Sequence, residues 1–149
     1  MKLTDKWFTA IAESDNGNST IFVSGRYDID EFRESGKFKE RVEVTWRYNA
    51  DANGMPDDRT SEVMERVKEA LKKAVEKNKL AILTGVYTGD GERDMVFYTR
   101  NIPAFGEALN EALSGFELLP ITIYTEKDAA WNEYEEMRQL QMFDVDEDV

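Results

Sequence analysis

The chain has neither cysteine nor histidine. Without thiols there is no disulfide framework and no thiolate nucleophile. Without imidazole there is no Ser-His triad, no histidine proton shuttle and no Cys/His zinc site. Any catalysis would have to come from carboxylates, lysine, tyrosine, Ser/Thr hydroxyls or a hard metal. Long apolar runs are missing as well. No stretch approaches the ~20 residues needed to span a bilayer, and Met1 to Trp7 lacks the apolar core of a signal peptide. A cytoplasmic location is therefore the expectation. Positive charge is scarce, with 19 Lys and Arg against 31 Asp and Glu and a net charge of −12. Phosphate backbones and anionic membranes would be repelled, which sets nucleic acid and membrane aside as partners.

What the chain does contain is enough apolar matter for a core. Hydrophobic residues make up 41%, including 3 Trp, 6 Tyr and 8 Phe over 149 residues. One domain over residues 1–142 is expected, followed by an acidic tail over 143–149 that includes Phe143, Asp144, Glu147 and Val149. The clearest local signal runs from Leu80 to Thr99. Two apolar stretches flank Asp90-Gly91, the dipeptide that favours a type I′ hairpin turn. The register implied by that turn pairs Gly89 with Glu92, Val86 with Met95, Thr84 with Phe97 and Leu83 with Tyr98. It places Ile82, Val86, Met95 and Phe97 on one side, and Leu83, Tyr87, Val96 and Tyr98 on the other.

Around this hairpin the remaining elements follow from periodicity and punctuation. Trp7–Glu13 and Ser19–Arg26 read as strands joined by a turn cluster at Ser14–Asn18. Between Tyr27 and Lys39, Ile29 and Phe32 fit one helical turn ended by Gly36. Glu40–Tyr48 alternates cleanly, with Val42, Val44, Trp46 and Tyr48 against Glu43, Thr45 and Arg47. After a loop, Asp58 or Thr60 caps a helix whose stripe is Val63, Met64, Val67, Leu71, Ala74 and Val75, with Asn78 as its left-handed stop. Asn101 caps a second helix that carries Pro103 in its first turn and buries Phe105, Leu109, Ala112 and Leu113. Leu119–Thr125 is a strand with Leu119, Ile121 and Ile123 on one side and Thr122 and Tyr124 on the other. Asp128 caps a third helix carrying Trp131, Tyr134, Met137 and Leu140.

From Glu40 to Thr125 the order is strand, helix, strand, strand, helix, strand. This is the split βαβ pattern of an α+β, ferredoxin-like antiparallel sheet with both long helices on one face, here with an N-terminal hairpin and a C-terminal helix added. Because the central hairpin is apolar on both sides, the sheet's rear face needs cover. The chain's own hairpin and third helix, a second subunit or a ligand could each supply it.

Val44-Thr-Trp-Arg-Tyr48, Gly54-Met-Pro56, Leu83 to Arg93, Phe97-Tyr-Thr99, and Asp128 with Trp131 and Tyr134 together resemble a bacterial domain of unknown function, family six-nine-five. The resemblance spans roughly residues 5–140. Members of that family sometimes precede a domain similar to the regulator that inhibits ribonuclease E, which is itself acidic and ferredoxin-like and acts by binding a protein. The resemblance implies a fold; it implies neither catalytic residues nor a cofactor.

Three constellations invite a functional reading. Asp51, Asn53 and Asp57 have the spacing of half a calcium loop, but Thr60 stands where a bidentate glutamate is needed, and a turn plus helix cap explains the same residues. Thr88-Gly-Asp-Gly-Glu92 lacks the Lys and the following helix of a phosphate loop. Tyr87, Tyr98 and Tyr124 share the rear face, and Trp131 and Tyr134 line the last helix. These five either pack beneath the added elements or form an interaction face. The functional expectation is a non-enzymatic protein-binding or regulatory domain with an unidentified protein partner, or one that pairs with a second copy of itself. The alternative is a small-molecule or divalent-metal binder, or a hydrolase using carboxylates.

Overall fold

The computed structural model describes residues 1–14 and 19–147; Asp15–Asn18 of the expected first turn and the last two residues of the tail lie outside them. The elements are β1 (Lys6–Glu13), β2 (Thr20–Tyr27), α1 (Asp30–Glu34), β3 (Glu40–Arg47), α2 (Asp58–Glu76), β4 (Ala81–Gly89), β5 (Glu92–Thr99), α3 (Ile102–Leu113), β6 (Ile121–Lys127) and α4 (Asn132–Glu147). All six strands join one antiparallel sheet in the order β1-β2-β4-β5-β3-β6.

α2 and α3 lie on one face, here the front. Met64, Val67, Leu71 and Val75 of α2 and Phe105 and Leu109 of α3 share a core with Val42, Val44, Trp46, Leu83, Met95 and Phe97. The caps that begin these helices use the expected chemistry with one shift. Asn101 accepts the Ala104 N–H at 2.8 Å, but α2 is capped by Asp57, which accepts the Thr60 N–H at 2.7 Å. An N-cap side chain reaches the N–H three residues on, and Asp57 holds the extended backbone (φ −71°, ψ 170°) that this requires. At the other end of α2 the left-handed residue is Lys79, not Asn78; the Asn78 side chain instead accepts the Leu80 N–H at 3.2 Å. β6 begins two residues later than the sequence suggests, the carbonyl of Pro120 taking the Arg47 N–H at 3.4 Å.

The central hairpin forms about Asp90 and Gly91, both at positive φ (51° and 81°), as a type I′ turn demands. Gly89 faces Glu92 and Val86 faces Met95, but the expected register fails beyond them. Leu83 pairs with Phe97 and Ile82 with Tyr98, with a break between Leu83 and Gly85. This β-bulge exchanges the two faces of the strand's first half. Leu83 enters the front core and Ile82 the rear one, the reverse of the sequence expectation.

A polar clamp supports the bulge. The almost fully buried Glu76 carboxylate accepts the Leu83 N–H at 2.9 Å. The Arg26 guanidinium, 1% exposed, donates to the Leu83 carbonyl at 3.0 Å and to Glu76 at 2.7 Å. Backbone groups displaced from the ladder are thus satisfied by a buried ion pair.

The rear face is covered over half its width. The β1–β2 hairpin does not fold over it. It extends the sheet beside β4, Phe22 to Gly25 pairing with Thr88 to Gly85. α1 and α4 supply the cover. Phe32, Phe38, Trp131, Tyr134 and Met137 pack on Phe8, Val23, Ile82, Val96 and Tyr98. Gly25 and Gly85 allow the close approach of this layer, since a Cβ at Gly85 would sit 2.6 Å from the Met137 sulfur.

Candidate functional site

The five aromatic residues singled out from the sequence separate into two groups. Tyr98, Trp131 and Tyr134 are interior. Tyr98 stacks on Trp131 with ring centres 4.4 Å apart, and Tyr134 meets Trp131 edge-on at 5.2 Å. Each polar end is satisfied. Tyr98 donates to Asp128 at 2.7 Å, Trp131 to the Phe38 carbonyl at 2.8 Å and Tyr134 to the Arg26 carbonyl at 2.7 Å. Asp128 also accepts the N–H groups of Asn132 and Glu133 at 2.9 and 3.1 Å. It therefore caps α4 from outside the helix, across a turn in which Trp131 takes a φ of 58°. Burial works against the Asp128 charge, but the Tyr98 hydroxyl and the two N–H donors outweigh it and hold its pKa below the ordinary value. Burial and the Asp128 carboxylate push the Tyr98 hydroxyl far up.

Tyr87 packs, partly buried, at the margin of the α4-covered rear core, while Tyr124 lies on β6 in the half beyond α4. Cross-strand pairing lays that region out in rows. Tyr87, Asp94, Thr45 and Thr122 form one; Val96, Glu43 and Tyr124 the next; Tyr98, Arg41 and Glu126 the third. Tyr124 is 57% exposed. Arg41 bonds Glu43 at 2.9 Å and Glu126 at 3.2 Å. Its desolvation is outweighed by Glu43 and Glu133, so its pKa is raised. Three carboxylates around one guanidinium leave the region acidic.

At one end of this face is a cleft of about 310 Å³ walled by Glu13, Ile21, Tyr87, Asp90, Glu92 and Asp94. Burial, then hydrogen bonding and repulsion from Glu92, push the Asp94 carboxyl up to about 7, although the Thr45 hydroxyl donates to it at 2.7 Å and works the other way. Burial pushes Tyr87 up to about 12. The cleft is thus a wall of carboxyl and phenol oxygens suited to an ammonium or guanidinium group, with one acid that changes charge near neutrality. Sequence reading missed it. Asp94 and Glu92 are unremarkable on a polar strand end until β1 and β2 bring Glu13 and Ile21 beside them.

The calcium-like residues are used locally. Asp51 accepts the N–H groups of Asn53 and Met55 at 2.8 and 3.0 Å, and Asp57 is the α2 cap. Among the described residues no three Asp or Glu side chains converge as a metal ion would require. The Gly54 carbonyl takes the Gly91 N–H at 3.1 Å and the Tyr48 hydroxyl at 2.7 Å, so this loop props the hairpin turn. No described helix is long and apolar enough to cross a membrane.

No curated protein and no solved structure matches the chain. One family model does, over residues 5–137, and the chain belongs to that family, a family of unknown function (DUF695).

Proposed function

We propose that this protein is a non-enzymatic interaction or regulatory domain that receives a basic protein partner on the uncovered half of its sheet. One observation carries the reading. α4 shields the β1-β2-β4 side of the rear face, while Tyr124 and the carboxylates of Glu43 and Glu126 remain beyond it. A surface with an exposed aromatic residue and a carboxylate majority suits lysine and arginine side chains. The strand order β4-β5-β3-β6, with α2 and α3 on one face, supports describing this core as ferredoxin-like, with β1 and β2 added at the β4 edge. A bacterial origin and a kinship with the ribonuclease E regulator rest on the resemblance alone, and a cytoplasmic setting on the missing cysteines and apolar runs. Partner capture at low and moderate salt, repeated with Tyr124→Ala and Glu126→Gln, tests the reading. A salt-sensitive partner lost with either variant is expected. Partners captured equally by all three proteins would overturn it.

The Asp94 cleft favours a second reading, a binder of small amines or a carboxylate-based hydrolase. A melting-temperature screen with primary amines, Mg²⁺, Ca²⁺ and Mn²⁺ separates the two, because a ligand of the folded state raises the midpoint by mass action. A rise that Asp94→Asn abolishes would favour the cleft; no rise with any compound would remove this alternative.

A further inference from the structure

We propose that the free edge of β6 takes up an extended segment of the partner as an added strand, and that this segment alternates apolar with basic residues. The proposal rests on the protein-binding reading and gives it a docking mode.

Among the described residues β6 ends the sheet and pairs only with β3. The direction of its backbone groups follows from two hydrogen bonds at its ends. Asp128 N–H donates to the Lys39 carbonyl at 2.8 Å and Arg47 N–H to the Pro120 carbonyl at 3.4 Å. In an antiparallel ladder, bonded and non-bonded pairs alternate. Arg41/Glu126, Glu43/Tyr124 and Thr45/Thr122 are therefore the bonded pairs. The N–H and C=O groups of Ile123, Thr125 and Lys127 point away from β3, to the outside. The register runs unbroken from Trp46↔Ile121 to Glu40↔Lys127, and the strand contains no proline. Among the described residues neither a bulge nor a proline blunts this edge, and its charges are confined to its last two positions, Glu126, paired with Arg41, and Lys127. Residues Thr122 to Thr125 are all exposed.

Side chains on the two sides of β6 define what would fit. A strand's residues share a face with their cross-strand neighbours. On the front, Ile123, opposite Val44, is 48% exposed. On the rear, Tyr124 is 57% exposed, and Glu126 lies with Glu43 around Arg41. An added strand would thus set apolar side chains beside Ile123 and cationic ones beside Tyr124 and Glu126. A second copy of this chain would bring its own Glu126 and a net charge of −12, so charge favours a basic segment over self-pairing.

The test uses the full chain and a labelled peptide of about seven residues alternating valine and lysine. Its control is the same peptide methylated on the backbone nitrogens of one edge, which keeps side chains and charge but removes the ladder donors. Fluorescence anisotropy should show the methylated peptide binding at least tenfold more weakly. Thr125→Pro, placed where the N–H faces outward and β3 loses no bond, should weaken the parent peptide to a similar degree while far-ultraviolet circular dichroism stays unchanged. Hydrogen exchange at the amides of Ile123, Thr125 and Lys127 should slow on binding. Equal binding of both peptides, unaffected by Thr125→Pro but salt-sensitive, would overturn strand addition and leave the acidic-face reading standing. No binding of either peptide would also overturn it, while partner capture still tested the face. Dimerisation of the chain alone, abolished by Thr125→Pro, would assign the edge to a second copy and overturn the proposal.

Discussion

The Tyr98 hydroxyl ties β5 to α4 and to the turn before it through two bonds, donating to Asp128 at 2.7 Å and accepting the Tyr134 N–H at 3.3 Å. Tyr98→Phe leaves Asp128 one donor short inside the fold. It should cost about 1–3 kcal/mol in urea unfolding, the range for a buried polar group deprived of its partner. Because the Asp128 pKa lies below its ordinary value of 3.8, its contribution is present above the unfolded pKa and lost as pH falls through the folded one. The variant should therefore show a shallower loss of stability on the acid side. Asp94 has the opposite sign. Its carboxyl titrates near 7 against an ordinary 3.8, so the folded state binds the proton more tightly. The penalty grows as pH rises from about 4 to 7 and then levels off. Asp94→Asn should flatten that slope and gain on the order of 1 kcal/mol at pH 8, after allowance for solvent screening. Equilibrium unfolding at several pH values reads both effects.

Between elements, two junctions govern how the layers meet. The first is the β4 bulge with its Arg26–Glu76 clamp. Arg26→Met removes one charge and leaves Glu76 buried with the Leu83 N–H and, 3.6 Å away, Lys72. A loss of about 3–5 kcal/mol is expected, as when one partner of a buried ion pair is deleted. Adding Glu76→Gln should cost less than a second independent loss, which a double-mutant cycle in urea would measure. The second junction is Gly25, where a Cβ would meet the rim of the Phe8 ring and lie 3.0 Å from the Met137 methyl. A ring held between strand and helix cannot give way as a flexible side chain can. Gly25→Ala should destabilise by about 1–3 kcal/mol. Phe8→Leu in the same chain should recover part of the loss.

Over the whole molecule, charge and coverage set behaviour. A net charge of −12 repels itself across a small surface, and salt screens that repulsion within about 10 Å at 0.1 M. Raising NaCl to about 0.5 M should increase the melting temperature while weakening capture of a basic partner. A partner held by apolar contact alone would show no such loss. The asymmetry of the rear face makes these two responses separable. Its α4 side is aromatic core, and its β3–β6 side is charged and open.

The strands, the long helices, the Asn101 cap and the Asp90-Gly91 turn were legible from residue order, because period, cap and turn chemistry act within a few residues of one another. So were the faces of β3 and β6, whose alternation runs unbroken. Thr84 defeated the same logic. Gly85 is the one local mark of the bulge there, and the bulge depends on Arg26 and Glu76 arriving from 57 and 7 residues away to satisfy Leu83. Tertiary structure likewise decided that β1 and β2 widen the sheet instead of capping it, that Tyr98, Trp131 and Tyr134 lie inside while Tyr124 lies outside, and that Asp94 borders a cleft. Each of these turns on which surfaces meet at long range, and residue type states only that a surface must be buried, not against what.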